Sequence, residues 1–286
     1  MPELPEVETI RRQLAPRVVG RTITEAEVFD PLWCAPRDPA DVERDLRGER
    51  ITSLGRRGKY LVLELDGERF LVMHLRMTGN FLWVPESDDV AGRAHLRVRL
   101  VLDDGNRLLF VDQRRFGTGI VLDGREALEE YLGERIGPEP LEPEFTPAVL
   151  AQEARGRKAP VKAFLLDQRH VAGVGNIYAN EALFRAKINP LRPAGRLRRP
   201  EIERLHAGIV AALEAGIARQ GASIDNYRDA NGDKGSMQDE FLVHLREGKP
   251  CVRCGRPVVK LVAAGRGTYI CRRCQPAPRT RSVATP

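Results

Sequence analysis

Two groups of residues in this chain have types and spacings suited to chemistry. The N-terminus, Met1-Pro2-Glu3-Leu4-Pro5-Glu6-Val7-Glu8, puts a potential secondary-amine nucleophile and three carboxylates within the first turns of one helix. Removal of the initiator methionine ahead of a small residue would expose the pyrrolidine nitrogen of Pro2. Such an amine attacks an aldehyde-like carbon and gives an iminium cation. Its reference pKa of about 7.7–8.0 leaves a sizeable neutral fraction near neutral pH. The same residues also read as an ordinary helix start, with Pro5 in the first turn, acids at the positive end of the dipole, and Val7, Ile10 and Leu14 forming an apolar stripe. Both readings can hold together.

The second group is Cys251-x-x-Cys254, sixteen residues, then Cys271-x-x-Cys274. Two short turns that each offer a pair of thiolates suit one tetrahedral Zn(II) ion, and four protein ligands make the site structural, with no position left for a substrate. A disulfide framework would suit a small exported domain, and no export signal precedes these residues. Cys34 is far away in sequence and reads as an unremarkable thiol.

The elements that must position these groups change character along the chain. At 286 residues, about two domains is the fair expectation. Lys and Arg number 46 against 40 Asp and Glu, a net charge of +6 with a sequence pI near 9.2, which favours a polyanionic partner. Residues 251–286 carry basic residues and no acidic one. No apolar run approaches the roughly 18 residues of a membrane helix, so a soluble, cytoplasmic protein without membrane contact is expected.

After the first helix, residues 22–122 read as strands. Tyr60–Leu65 and Arg69–Val72 flank Asp66-Gly67, and Leu96–Leu102 and Arg107–Val111 flank Asp104-Gly105, the pairs that favour tight hairpins. Such strands argue for a sandwich or flattened barrel. The proline-rich residues 137–147 read as a linker. Beyond it the period becomes helical: Ile202, Leu205, Ile209, Leu213 and Ile217 trace one face of a helix that Pro200 starts and Gly221 ends. Gly173-Val174-Gly175-Asn176 reads as a tight turn between helices, whose glycines let backbone donors approach an anion. Residues 225–240 read as a mobile polar loop, and the chain beyond Gln275 as a disordered tail.

Five ordered segments together resemble the formamidopyrimidine-DNA glycosylase/endonuclease VIII family. They are the N-terminal octapeptide, Arg56-Arg57-Gly58-Lys59-Tyr60, His74-Leu75-Arg76-Met77-Thr78-Gly79, Arg114-Arg115-Phe116-Gly117 and Gly173-Val174-Gly175-Asn176-Ile177-Tyr178-Ala179, with the four-cysteine module completing the set. The resemblance spans Pro2 to Cys274. It implies an α+β chain: an N-terminal β-sandwich with a leading helix (1–135), a linker (136–149), a helix-two-turn-helix DNA-binding domain (150–245), a zinc finger (246–276) and a tail (277–286).

By the same resemblance the chain would be a bifunctional glycosylase and abasic-site lyase that excises oxidised purines through an N-terminal proline iminium and β,δ-elimination. An enzyme of this kind everts the nucleotide and fills the gap. Pro2 would be the nucleophile, Glu3 the acid/base, and Glu6 an orienting carboxylate. Lys59 would join the catalytic set and also contact phosphate. Met77, Arg114 and Phe116 would fill the gap. His74, Arg115, Asn176 and Arg266 would hold phosphates, Lys162 would lie near the damaged base, and 225–240 would be a lid. The implied partner is double-stranded DNA carrying oxidised bases or abasic sites, met by a monomer in the bacterial cytoplasm or nucleoid.

Three positions depart from the family pattern: Arg76 and Gln113 stand where glycine and proline are usual, and His244 where a phosphate-binding tyrosine is common. The competing readings are an oxidised-pyrimidine glycosylase of the endonuclease VIII type, which typically starts Pro-Glu-Gly-Pro where this chain has Pro2-Glu3-Leu4-Pro5, and a non-catalytic damaged-DNA-binding zinc protein.

Overall fold

Helix α1 (Leu4–Val18) buries its stripe completely. Val7, Ile10, Leu14 and Val18 are each 0 % exposed and join one cluster with side chains from two antiparallel sheets. The computed structural model describes residues 1–90 and 92–277, so all of the expected tail beyond its first residue lies outside the described residues. Following α1 come β1 (Ile23–Val28), α2 (Pro31–Cys34), α3 (Pro39–Leu46), β2 (Ile51–Arg57), β3 (Tyr60–Leu65), β4 (Arg69–His74), β5 (Gly79–Val84), β6 (Leu96–Leu102), β7 (Arg107–Asp112), β8 (Thr118–Asp123) and α4 (Arg125–Gly133). The sheets run in the orders β1-β6-β7-β5 and β2-β3-β4-β8. In β6 buried positions alternate with half-buried ones, whereas β3 and β4 are buried over most of their length.

The expectation of strands throughout 22–122 is corrected at α2 and α3. Each begins at an Asp-Pro pair: Asp30 accepts from the Leu32 N–H at 3.1 Å and Asp38 from the Ala40 N–H at 2.9 Å, with Pro31 and Pro39 in the first turns. These caps stabilise short helices against a strand-like background. The second correction concerns 225–240. Tyr227 and Ala230 belong to the main core, the Trp83 N–H donates to the Ala230 carbonyl at 2.8 Å, and Gln13 bonds both Asp229 and the Ala230 N–H. A polar composition conceals several buried residues, Tyr227, Asp229, Ala230 and Met237 among them, and a set of anchors.

The described residues divide into two compact units. One comprises Met1–Ile136 with Ala215–Asp239; the other comprises Gly137–Glu214 with Glu240 onward. The second unit holds α5 (Pro147–Ala154), α6 (Val161–Leu166), α7 (Asn176–Ala186), most of α8 (Arg199–Ala218) and the hairpin β9 (Val259–Ala263)–β10 (Arg266–Ile270). The Gly137 N–H donates to the Gln168 carbonyl and the Ala172 N–H to the Pro138 carbonyl, so the proline-rich segment is bonded to the α6–α7 turn. The fold is α+β, comprising the sandwich, a helical domain and a four-cysteine finger.

Candidate functional site

Strand register brings the N-terminal unit's candidate residues to one edge of the sandwich. Tyr60 pairs with His74 and His74 with Thr118, so the β2–β3 turn, the β4–β5 connection and the β7–β8 connection lie side by side. Lys59 sits in the two-residue Gly58-Lys59 turn and is 5 % exposed. Arg56 locks that turn to α1: its Nε lies 3.2 Å from Glu8 Oε2 and its Nη1 donates to the Gly58 carbonyl at 3.1 Å. Glu8 has no assigned role in the sequence reading, yet it also takes Arg11 and Arg12. Burial alone would push its carboxyl up; the guanidinium hydrogen bonds of Arg11 and Arg12 and the charges of Arg11 and Arg56 outweigh burial and hold it at about 2.

Pro2, Glu3 and Glu6 are all buried at the head of α1. Glu6 reaches back to the Glu3 N–H at 2.8 Å and accepts from the Ala222 N–H at 2.7 Å. The backward bond is half of a capping box. The forward bond needs Gly221: its φ is +83°, and a Cβ there would lie 2.8 Å from the Glu6 side chain. The Tyr227 hydroxyl lies 3.3 Å from both the Glu6 and Gln220 carbonyl oxygens, and burial, with the Glu6 and Asp229 charges, pushes its phenol well above the usual range.

The expected gap-filling side chains share this edge. Phe116 is 51 % exposed, Arg114 stacks 4.7 Å above its ring, and Met77 is half-buried on the neighbouring loop. Gln113, the departure beside them, accepts from the Asn226 amide at 3.2 Å. Two of the expected phosphate contacts also have partners within the protein. Arg115 is gripped by the buried carboxylate of Asp30 through Nε at 2.7 Å and Nη2 at 2.8 Å, which makes it an anchor of its loop. His74 is buried, and its Nδ1 accepts the Arg76 N–H at 2.9 Å. Burial first, then the Arg76 and Lys59 charges, lower its pKa to about 3, so it is a neutral ring with the proton on Nε2.

In the second unit, Gln168 stitches the tight turn by bonding the Gly173 N–H and the Leu166 and Val174 carbonyls, and Asn176 opens α7. Asn176 Nδ2 donates to the Gly267 carbonyl at 3.2 Å, while its Oδ1 is buried without a partner. Arg266 is the exposed residue just before Gly267, at the tip of the β9–β10 hairpin, so these two expected phosphate contacts are neighbours. Among the described residues the Arg266 side chain has no ion pair. Ala264 and Gly265 turn the hairpin with φ of +53° and +66°, as a two-residue primed turn demands.

Lys162 is internal. Expected near a damaged base, it is 0 % exposed, and its ammonium is held by Thr268 Oγ1 at 2.6 Å and the Gly267 carbonyl at 3.2 Å. It braces the hairpin that presents Arg266. His244, the third departure, is likewise internal: its Nδ1 meets the Asn180 amide at 2.8 Å, and burial with the Lys162 charge lowers its pKa to about 4. Glu181, which sequence reasoning missed, is fully buried and accepts the N–H groups of Leu242, Val243 and His244. Burial pushes its carboxyl up against those bonds.

The four finger cysteines carry free thiols whose sulfurs all lie within 4.8 Å of one another, with Cys251–Cys274 at 3.9 Å and Cys254–Cys271 at 3.4 Å. A tetrahedral ion with Zn–S bonds of about 2.3 Å separates sulfurs by about 3.8 Å, so the set fits one structural zinc. Arg253 sends its backbone N–H to Cys251 Sγ at 3.4 Å and its guanidinium to the Phe184 and Arg185 carbonyls, closing the C-terminal end of α7. The finger is thereby fixed to the helix that Asn176 begins.

A β-sandwich headed by a buried Pro-Glu pair, a helix-turn-helix unit opening on a glycine turn, and a four-cysteine finger with an exposed fingertip arginine define a zinc-finger DNA-repair glycosylase. The comparisons with known proteins agree: the formamidopyrimidine-DNA glycosylase N-terminal domain matches residues 1–119, its H2TH domain residues 136–228, and the zinc finger found in FPG and IleRS residues 248–277. The formamidopyrimidine-DNA glycosylase of Symbiobacterium thermophilum is 50 % identical over 279 residues, covering 97 % of this chain and 90 % of that one. A Lactococcus lactis Fpg variant in complex with Fapy-dG-containing DNA superposes with a TM-score of 0.89 at 36 % identity, and the L. lactis enzyme with abasic-site DNA at 0.88 and 36 %. Another L. lactis complex, with oxidised-pyrimidine DNA, scores 0.88 at 35 % identity, and each of the three covers 96 % of this chain and 100 % of the other. This chain belongs to the formamidopyrimidine-DNA glycosylase family.

The Glu8 cluster makes a pH-dependent contribution to stability. Its folded pKa lies below the ordinary 4.5, so the stabilisation is fully present above about 4.5 and is lost as pH falls toward about 2. Glu8→Gln is expected to lower Tm at pH 7, with the deficit shrinking between pH 4.5 and 2. A deficit unchanged across that range, measured by circular dichroism, would refute the assignment.

Proposed function

We propose that this chain is a bifunctional glycosylase and abasic-site lyase that removes oxidised purines, with 8-oxoguanine and formamidopyrimidines as its substrates. The observation that carries the reading is the buried head of α1, where Glu6 fixes the Glu3 N–H and the Ala222 N–H at 2.8 and 2.7 Å beside the buried Pro2. The Fapy-dG complex of the L. lactis relative supports the substrate class.

Once Met1 is removed, the Pro2 nitrogen sits at the positive end of α1, which disfavours its ammonium form and keeps it nucleophilic. It attacks the sugar anomeric carbon as the glycosidic bond breaks and the damaged base leaves. Glu3 gives a proton to the ring oxygen, the sugar opens, and the C–N bond becomes a cationic iminium. That electron sink makes the adjacent C–H acidic, so the 3′ phosphate is lost by β-elimination and the 5′ phosphate by δ-elimination. Glu6 holds the backbone of the site, and Lys59, on the turn clamped by Arg56 and Glu8, supplies a cation to the reacting strand.

Each unit makes its own contacts with double-stranded DNA. In the first, Met77, Arg114 and Phe116 fill the gap left by the everted nucleotide, and His74 offers a neutral Nε2–H to phosphate. In the second, Asn176 and Arg266 hold phosphate. The finger's zinc is structural, and its part is to hold the hairpin bearing Arg266 on α7. The segment 225–240 acts as a lid anchored through Asp229 and Ala230 to α1 and β5. The protein works as a monomer in the bacterial cytoplasm.

Pro2→Ala is expected to lower single-turnover excision of 8-oxoguanine opposite cytosine at least a hundredfold while duplex binding stays within threefold. The wild type is expected to leave β,δ-elimination ends and to cut 8-oxoguanine faster than thymine glycol. Unimpaired excision by the variant refutes the nucleophile, and faster cutting of thymine glycol favours the oxidised-pyrimidine reading. Binding without any strand cleavage by the wild type favours a non-catalytic binder.

Arg266→Ala is expected to weaken binding uniformly across sequences and to reduce the slope of log affinity against log salt by about 1, the signature of one lost phosphate contact. An unchanged slope in a fluorescence-anisotropy titration refutes the contact.

A further inference from the structure

The sandwich edge contains a buried carboxylate that the reaction does not use. Asp112, the last residue of β7, is 1 % exposed, and among the described residues no Lys or Arg forms an ion pair with its side chain. All the donors to it are neutral. Oδ1 accepts the Thr78 hydroxyl and the Arg114 N–H at 3.2 Å; Oδ2 accepts the Phe116 N–H at 2.9 Å and the Gly117 N–H at 2.7 Å. A buried charge without a counter-ion is costly unless every acceptor position is used, and here the four donors come from two loops.

We propose that Asp112, through Thr78, is the positioning residue that preassembles the gap-filling side chains before DNA is bound. The proposal rests on the reading of Met77, Arg114 and Phe116 as the gap-filling set. Thr78 follows Met77 directly, and its Oγ1 accepts the Arg114 N–H at 3.1 Å while its proton goes to Asp112. One carboxylate and one hydroxyl therefore fix the Met77 loop and the Arg114–Phe116 loop to each other.

The backbone conforms to this arrangement. Arg115 adopts φ +60° with its guanidinium tied to Asp30, so its neighbours Arg114 and Phe116 are left exposed and stacked on each other. Gly117 passes so close that a Cβ would lie 2.5 Å from the Phe110 ring and 3.1 Å from Asp112 Oδ2. Loops ordered in advance spare the complex the entropy of ordering them during insertion into the base stack. An asparagine at 112 keeps the shape but points an amide donor at donors already in place, so it loosens both loops without opening a cavity.

The test uses the full-length protein and a duplex with 2-aminopurine beside 8-oxoguanine. Stopped-flow fluorescence reports gap filling, and single-turnover cleavage reports excision. Asp112→Asn is expected to slow both at least tenfold. Cleavage at an abasic site in single-stranded DNA, where no stack is opened, is expected to fall far less. Thr78→Val is expected to slow gap filling, and Thr78→Ser to restore it; this pair carries the test should Asp112→Asn fail to fold. Wild-type gap filling by both Asp112→Asn and Thr78→Val overturns the proposal, as does an equal loss on single-stranded and duplex substrates, or no recovery with serine.

Met77→Ala, Arg114→Ala and Phe116→Ala separate the two levels. If these slow gap filling and Asp112→Asn does not, only the positioning role fails. If the triple variant fills the gap at the wild-type rate, the gap-filling reading itself fails and takes the proposal with it.

Discussion

The N-terminal unit depends on one carboxylate with two backbone partners. Glu6 holds the Glu3 N–H on one side and the Ala222 N–H on the other, so the head of α1 and the segment leaving α8 are fixed to the same carboxylate. A chain terminus is ordinarily the least ordered part of a protein. Here it is buried, capped and bonded to a residue more than two hundred positions away. In the proposed mechanism that constraint positions the terminal proline as nucleophile, because a frayed terminus could not hold its nitrogen against a sugar carbon. The requirement propagates outward: Gly221 must lack a side chain, Tyr227 must pack beneath the helix, and Glu8 must keep Arg56 on the turn that carries Lys59.

The second unit solves a related problem with buried polar groups. Glu181 gathers three successive N–H groups before the finger, Lys162 braces the hairpin at Thr268, and Arg253 closes the end of α7. Each takes up groups that would otherwise be buried and unpaired, which makes the network specific as well as stabilising. The result is that Asn176 and Arg266, far apart in sequence, come together beside the same Gly267. The zinc site completes that geometry and has no further chemistry to supply.

Features governed by local rules were legible from the residues. The Asp66-Gly67 and Asp104-Gly105 hairpins, the amphipathic α8, the buried stripe of α1 and the spacing of the four finger cysteines all carry their own short-range pattern. The Asp-Pro starts of α2 and α3 were equally local, but they lie in a stretch dominated by strand alternation. Long-range pairings were hidden. Nothing near Tyr227 or Ala230 in sequence marks them as core, because their partners lie on α1 and β5. Asp112 and Glu181 look like ordinary surface acids until their backbone donors are located. Lys162 and Arg115 are cations with internal partners that their sequence neighbourhoods do not show, a buried hydroxyl in one case and a buried carboxylate in the other. Residue type alone does not reveal whether a charge faces solvent or an internal partner.

The central claim is that the nitrogen of Pro2, held at the head of α1 by the Glu6 clamp, forms the covalent link to the damaged nucleotide. The most direct measurement is borohydride trapping of the full-length protein on an 8-oxoguanine:cytosine duplex, followed by mass spectrometry of the adducted peptide. The account predicts a reduced adduct on the N-terminal peptide, lacking Met1 and modified at Pro2. Strand cleavage with the adduct on another residue such as Lys59, or with no adduct at all, would contradict it.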